Sequence, residues 1–302
     1  MQTAPMAAVL SRPTFSTVTE LLKPITWFPP MWAFSCGVVA SGVSPTGRWP
    51  LIIVGVLLAG PLVCATSQAV NDWYDRHVDA INEPGRPIPS GRMPGTWGLY
   101  IACGWTVLSL LVAMLLGPWG FGATMVGLIL AWAYSAPPVR LKLNGWYGNA
   151  ACGLCYEGLA WVTGAAVMAG GVIPDARSLA LAGLYSLGAH GIMTLNDFKA
   201  VEGDRQMGVR SLPVQLGIVP AARSASWTMA VPQLVVIGLL SHWGRPGHAA
   251  VIAGLLVVQG VMMNWFVADP SKRALFYSGF GVPLFVAGMM VSAFALRTLI
   301  GG

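Results

Sequence analysis

Charge is what this sequence has least of. Only 9% of its 302 residues are Asp, Glu, Lys or Arg, against about 25% in an ordinary soluble domain. A water-facing surface needs those charges, so a soluble globular fold is excluded. Strict alternation of polar and apolar residues is also missing. The apolar runs are long and continuous, which excludes an outer-membrane barrel and leaves helices. Cysteine is sparse: Cys36, Cys64, Cys103, Cys152 and Cys155 all fall in apolar stretches, so no disulfide framework is implied. Cys152 and Cys155 form C-x-x-C, but inside a membrane span and without a histidine or cysteine partner nearby, which argues against a metal or redox centre. The first 24 residues lack the charged, apolar, small-residue order of a signal peptide.

What is present is apolar length. Hydrophobic residues make up 55% of the chain, at a mean hydropathy of +0.66. Nine apolar spans lie near residues 25–45, 51–71, 97–116, 119–136, 146–170, 178–196, 225–242, 248–267 and 276–299, each near the ~20 residues that cross a bilayer. The 37 glycines and 22 prolines suit such a bundle, where small residues let helices approach and neighbours satisfy broken backbone bonds. The expected fold is therefore all-α: residues 1–24 a cytoplasmic tail, and 25–302 one nine-helix transmembrane domain.

The net charge of +6 does not signal nucleic acid, because the positive residues sit in short loops between spans. Thirteen of the 17 fall in the tail or after the even-numbered spans, and four on the opposite side. By the positive-inside rule the N-terminus is cytoplasmic and the C-terminus lies opposite.

The acids are more telling. Seven of 11 lie just after the second and sixth spans, both on the cytoplasmic side. The first group is Asn71-Asp72-Trp73-Tyr74-Asp75-Arg76-His77-Val78-Asp79. If the second span continues as a helix, Asp72, Asp75 and Asp79 fall within an arc of about 60°. Three carboxylates on one stripe repel unless cations sit among them, and Mg²⁺ takes one or two carboxylates together with substrate phosphates. The second group runs from Asn196 through Asp197, Lys199 and Glu202 to Asp204, with Asp197 and Asp204 about 20° apart on a helix. A weak internal repeat links them. Asn71-Asp72 leads to Arg86-Pro87, and Asn196-Asp197 leads to Arg210-Ser211, at nearly equal spacing. Two half-bundles would bring both loops to one face, as a clamp on a diphosphate. Around it stand Arg86, Arg92, Arg140, Lys142, Lys199, Arg205 and Arg210, suited to stabilising a departing diphosphate. Positive-inside bias accounts for any single one of them equally well.

These motifs resemble the UbiA superfamily of intramembrane prenyltransferases. Longer strings narrow the resemblance: Lys23 to Pro30 as K-P-I-T-W-F-P-P, Tyr134 to Pro138 as Y-S-A-P-P, Asn196 to Asp204 as N-D-F-K-A-V-E-G-D, and Ser211 to Val214 as S-L-P-V. They are similar to the chlorophyll synthase branch. Trp73 to Pro84 (W-Y-D-R-H-V-D-A-I-N-E-P) is similar to its bacteriochlorophyll-forming members. The resemblance implies Mg²⁺, with two ions bridging the diphosphate and Asp72, Asp75, Asp79, Asp197 and Asp204 as ligands. Lys199 joins these as a catalytic residue. Asn71, Arg86, Arg92, Lys142, Asn196, Arg205 and Arg210 are the expected diphosphate contacts. Many relatives carry a further Asp where Ala200 stands, so the second-loop role passes to Asp204 with Asp197 as partner. The implied reaction alkylates the propionate carboxylate of bacteriochlorophyllide or chlorophyllide with geranylgeranyl or phytyl diphosphate, in a bacterial photosynthetic inner membrane. Partners in pigment biosynthesis or antenna assembly follow from the same resemblance.

Four further residues are pocket candidates: Trp27, Tyr134, Glu157 and His190. Glu157 is the one acid deep in a span, where a functional group and an interhelical hydrogen bond are equal readings. His190 is either a packed, hydrogen-bonded side chain or a tetrapyrrole contact, and the aromatics near Trp27 suit a macrocycle or an interfacial belt. Other classes fit less well. A transporter places its site near the bilayer midplane, a pigment-binding protein needs no carboxylate stripe, and the branch-specific strings argue against a quinone- or haem-directed relative.

Overall fold

The apolar runs fold as helices, because a backbone surrounded by lipid must satisfy its own hydrogen bonds. A computed structural model describes residues 12–300, so residues 1–11 of the expected tail and the last two residues lie outside it. Among the described residues there is no strand, only a one-residue parallel bridge between Asn144 and Arg210. The helices are α1 (Phe15–Leu22), α2 (Phe28–Ala40), α3 (Trp49–Asn82), α4 (Trp97–Ala113), α5 (Gly117–Ser135), α6 (Gly145–Met168), α7 (Ala176–Lys199), α8 (Val201–Gln206), α9 (Leu212–Leu216), α10 (Ile218–His242), α11 (Pro246–Ala268) and α12 (Pro270–Ile300).

Seven helical segments among these residues are long and apolar enough to cross a membrane. One is the run Trp97–Ser135, whose 39 residues would span about 58 Å if straight, nearly twice the hydrocarbon thickness. It is not straight. The turn tightens over Met114–Leu116, Gly117 takes φ 75°, and α4 and α5 pack against each other. A shorter apolar helix, α2, completes the apolar set.

The core forms where α2 crosses α6, with α6 packed on α7 and α2 on α12. Phe34, Trp161, Tyr185 and Phe285 are buried there, with Trp161 stacked on Tyr185 at 6.0 Å and Tyr185 edge-on to Phe285 at 5.4 Å. The crossing depends on two glycines. A Cβ on Gly37 would lie 2.0 Å from the Trp161 carbonyl oxygen, and one on Gly164 would lie 2.2 Å from that of Phe34. Small residues let membrane helices touch backbone to backbone.

Two helices carry a π-helical turn inside the bundle, α3 over Leu58–Cys64 around Pro61 and α6 over Leu154–Leu159. Proline removes one backbone donor, and Trp105 donates to the Pro61 carbonyl at 3.1 Å. Beyond its π-turn α3 continues without a break through the first acidic motif, so the carboxylates ride on a rigid rod rather than a loop.

The α2/α6 crossing yields a direct expectation. Gly37→Ala should lower the thermal unfolding midpoint in detergent by an amount equivalent to about 1–3 kcal/mol. Gly104→Ala, where nothing lies within 4 Å, should be neutral or stabilising.

Candidate active site

Where α3 leaves the apolar bundle, its polar face closes one wall of a cavity of about 610 Å³. Asn71, Asp75, Asp79 and Asn82 line that wall, in positions i, i+4, i+8 and i+11 along one helix face. The opposite wall comes from the end of α7 and from α8, which present Asp197, Lys199, Ala200 and Asp204. Arg140 and Lys142 enter from the segment between α5 and α6, and Asn149 from α6. Both acidic motifs thus face one space.

Each carboxylate of the first motif is met by a cation from elsewhere in the chain. Lys142 Nζ lies 2.5 Å from Asp75 Oδ1, and Arg140 Nη2 lies 3.9 Å from the same oxygen. Asn71 donates to Asp75 Oδ2 at 3.0 Å and to Ser135 at 3.2 Å, which leaves its carbonyl oxygen free to accept. Arg86 donates to Asp79 at 2.8 Å and also pairs with Glu83. That guanidinium holds the Glu83 carboxyl below its usual range. Burial draws the Lys142 ammonium below its usual range against the pull of Asp75, and burial lifts the Asp204 carboxyl above its own.

Asp72 is placed differently from the sequence expectation. Its carboxylate turns out of the cavity and is 2% exposed. Lys23 Nζ sits 2.6 Å from Oδ1, and Arg86 Nη1 3.4 Å from the same atom. Angle alone does not explain this, since Asp72 lies only about 20° beyond Asp79 around the helix; Lys23 and Arg86 hold its carboxylate outside the cavity lining.

Several other expected residues also stand outside the cavity lining. Arg92 is half-exposed and grips Glu20 of α1 at 2.5 Å, with a second bond to the Gly85 carbonyl. Arg205 is exposed and faces Glu202 at 3.5 Å. Asn196 and Arg210 are exposed, and Arg210 uses its backbone to bridge the Leu143–Gly145 segment. Trp27 packs beside α3, with its indole N–H on the Leu22 carbonyl. His190 is buried against Trp146, its ring nitrogen 3.3 Å from that residue's carbonyl oxygen. Glu157 is buried in the π-turn of α6.

Tyr134 is the exception among the pocket candidates. It lines the polar cavity and also a narrow apolar slot that runs into the bundle. The slot is walled by α2, α3, α5 and α6, and both π-turns contribute: Leu58, Ala59, Val63 and Cys64 from one, Cys155, Tyr156 and Leu159 from the other. Those slot residues carry no charge, and the C-x-x-C of Cys152 and Cys155, both of which line the slot, reads in sequence only as a metal or redox motif, so sequence reasoning did not find the slot. Asn149 was missed too. It is a buried amide whose Nδ2 lies 3.1 Å from Thr194 Oγ1 and which stands beside the Asp197 carboxylate. A polar residue on the inward face of an otherwise apolar span was the available signal.

The donor set suits a hard divalent cation. All five carboxylates lining the cavity, Asp75, Asp79, Glu83, Asp197 and Asp204, are oxygen donors, and Asp197 Oδ2 is buried with no hydrogen-bond partner. Among the described residues no three His, Cys, Asp or Glu side chains close on a single point. That dispersal fits Mg²⁺, which usually takes one or two carboxylates and completes its shell with water and phosphate oxygens.

Comparison with known proteins gives the same outline. The family model described as the UbiA prenyltransferase family matches residues 26–296. The chain is 58% identical over 289 residues to the bacteriochlorophyll synthase 33 kDa chain of Cereibacter sphaeroides, covering 96% of this chain and 95% of that one. It is 39% identical over 295 residues to the chloroplastic chlorophyll synthase of Oryza sativa subsp. japonica, covering 91% and 75%. In fold it is similar to a UbiA homolog from Archaeoglobus fulgidus bound to GPP and Mg²⁺, with a TM-score of 0.73 at 20% identity, over 93% of this chain and 99% of that one.

The two arginines of the first loop should separate in a binding measurement. Arg86→Ala strips Asp79 of its partner and should weaken Mg²⁺-dependent pyrophosphate binding about tenfold or more, as expected for hydrogen bonds between charged groups. Arg92→Ala breaks only an exposed pair and should stay within about twofold by calorimetry.

Proposed function

The chain belongs to the UbiA prenyltransferase family, and we propose that it esterifies the propionate carboxylate of bacteriochlorophyllide with a prenyl group taken from a prenyl diphosphate. The membership makes it a prenyltransferase. The acceptor is argued from its similarity to bacteriochlorophyll synthase chains along nearly its whole length. The donor is argued from the site. The single observation that carries it is the position of Tyr134, which borders a charged cavity on one side and an apolar slot on the other. A prenyl diphosphate has that division, with an anionic head, an apolar tail and the reacting carbon at their junction.

In this reading the slot takes the isoprenoid chain and excludes water from the reacting carbon. Asp75, Asp79, Asp197 and Asp204, with the side-chain carbonyl of Asn71, would hold Mg²⁺ beside the diphosphate, two ions being the expected number. Mg²⁺ supplies neutralisation of the charge that grows on the departing diphosphate. Lys142 and Arg140 add fixed positive charge on the same side. The allylic C–O bond breaks and its electron pair leaves with diphosphate. An electron pair of the acceptor carboxylate then forms the new C–O bond. A propionate is already ionised at neutral pH, so no residue has to act as a general base.

Residues 25–302 form one domain in this proposal. It has nine spans when α2 is counted and the run Trp97–Ser135 is divided at Gly117. Both acidic segments and the N-terminus face the cytoplasm, as the distribution of Lys and Arg favours. The setting is the photosynthetic inner membrane of a bacterium, beside pigment-biosynthesis or antenna-assembly partners.

The test is prenyl transfer by purified protein supplied with bacteriochlorophyllide, geranylgeranyl diphosphate and Mg²⁺. Ester should form, and chelation should abolish it. Asp75→Asn should lower kcat by about a hundredfold or more, the scale of losing one group that stabilises developing charge. Prenylation of a quinone precursor instead of the pigment would keep the family and overturn the acceptor.

A further inference from the structure

Among the described residues the cavity is lined by three cations, and only one of them forms no ion pair within 4.0 Å, although its charge reaches Glu83. Lys142 and Arg140 both address Asp75, at 2.5 and 3.9 Å. Lys199 lines the same cavity from the last turn of α7, and its side chain is exposed. Among the described residues no carboxylate lies within 4.0 Å of its ammonium group. Beside it Ala200 offers the cavity only a methyl group. The lining is otherwise acidic: Asp75, Asp79, Glu83, Asp197 and Asp204 face the space together with those three cations.

That balance poses a problem for the proposed chemistry, on which this inference rests. The nucleophile is itself an anion, and it must approach a carbon next to a diphosphate through a space lined by five carboxylates. It needs a cation that is not already neutralised. We propose that Lys199 is the binding site for the acceptor's carboxylate.

The type of residue fits that role. A carboxylate that must react cannot be gripped too firmly, because a strong partner would stabilise the charge that bond formation removes. An exposed lysine is a mobile point charge on a flexible stem, unlike the rigid, bidentate fork of arginine. It captures the acid, lets it turn toward the allylic carbon, and loses its partner once the carboxylate has become a neutral ester. The ion pair therefore favours substrate over product and helps the ester to leave. Its effect falls on acceptor binding rather than on the chemical step.

The experiment compares two probes and three proteins in detergent or nanodiscs. The probes are the chlorin acceptor with its free propionate and the same chlorin as its propionate methyl ester; the proteins are wild type, Lys199→Met and Lys199→Arg. Binding is followed by quenching of pigment fluorescence, and geranylgeranyl diphosphate affinity is measured alongside. Wild type should bind the acid at least about tenfold more tightly than the ester, the scale of one charge-assisted contact. Lys199→Met should reduce that ratio to near one, raise KM for the acceptor, and leave kcat and the prenyl diphosphate affinity within about twofold. Lys199→Arg should restore much of the acid preference. If Lys199→Met keeps the preference, or weakens prenyl diphosphate binding instead, the proposal is overturned and Lys199 belongs to the leaving group. If neither chlorin binds any of the three proteins, the acceptor reading falls and this proposal with it.

Discussion

The arrangement depends on one constraint: each carboxylate that α3 carries past the edge of the apolar bundle must find a cation. Burying an ionised group without a partner costs several kcal/mol, and α3 carries three of them within eight residues. The partners come from far along the chain. Lys23 lies 49 residues from Asp72 in sequence, and Lys142 lies 67 from Asp75. Satisfying these charges draws the Lys23 segment, the loop after α3 and the α5–α6 segment around the end of one helix. Electrostatic pairing acts there alongside a buried apolar cluster that joins the same segments, with Leu21, Leu22, Ala69, Val70 and Met93 at its centre. The exposed Glu20–Arg92 pair adds a second tie between α1 and that loop, though exposed pairs contribute little by themselves.

The second requirement is an opening in a bundle that otherwise packs backbone to backbone. Gly37 and Gly164 bring α2 and α6 into contact, and such a crossing leaves no space between them. The slot opens beside it, where α3 and α6 each pass through a π-turn. An extra residue in a turn displaces the side chains after it, and such turns are frequent at functional sites. The slot lining is almost wholly apolar, with Ser67 and Thr163 among its few hydroxyls. The rigid crossing and the open slot therefore lie on different faces of the same two helices.

The sequence conveyed the site unevenly, for physical reasons. Continuous apolar length revealed the membrane helices, and the first acidic motif stays on one helix, as its spacing required, because α3 does not break at the bilayer edge. The same periodicity misplaced Asp72. A 60° arc counts it with its neighbours, but which side of that arc meets the cavity is decided by Lys23 and Arg86. Arg92 was drawn toward the diphosphate by proximity in sequence, whereas a loop can send two arginines six residues apart in opposite directions. The division of the run Trp97–Ser135 rests on the single backbone reversal at Gly117, which hydropathy registers only as a shallow dip. Apart from Tyr134, the slot was not legible as a slot, since apolar side chains facing a cavity and those facing lipid have the same composition.

The charge balance of the cavity bears on how it is filled. Five carboxylates face it against three cations, and Lys142 is spent on Asp75. A bare diphosphate would meet net negative charge. The same lining attracts divalent cations, and a diphosphate already associated with them no longer carries the charge that the walls reject. Dispersal of the acids over two walls has a related consequence. No three of the described His, Cys, Asp or Glu side chains converge on one point, so in the proposed reaction a cation here would share its coordination between the walls and phosphate oxygens. Under the proposed function, cation and diphosphate would bind as mutually dependent ligands, each supplying what the other needs to remain in a cavity whose walls repel the anion alone.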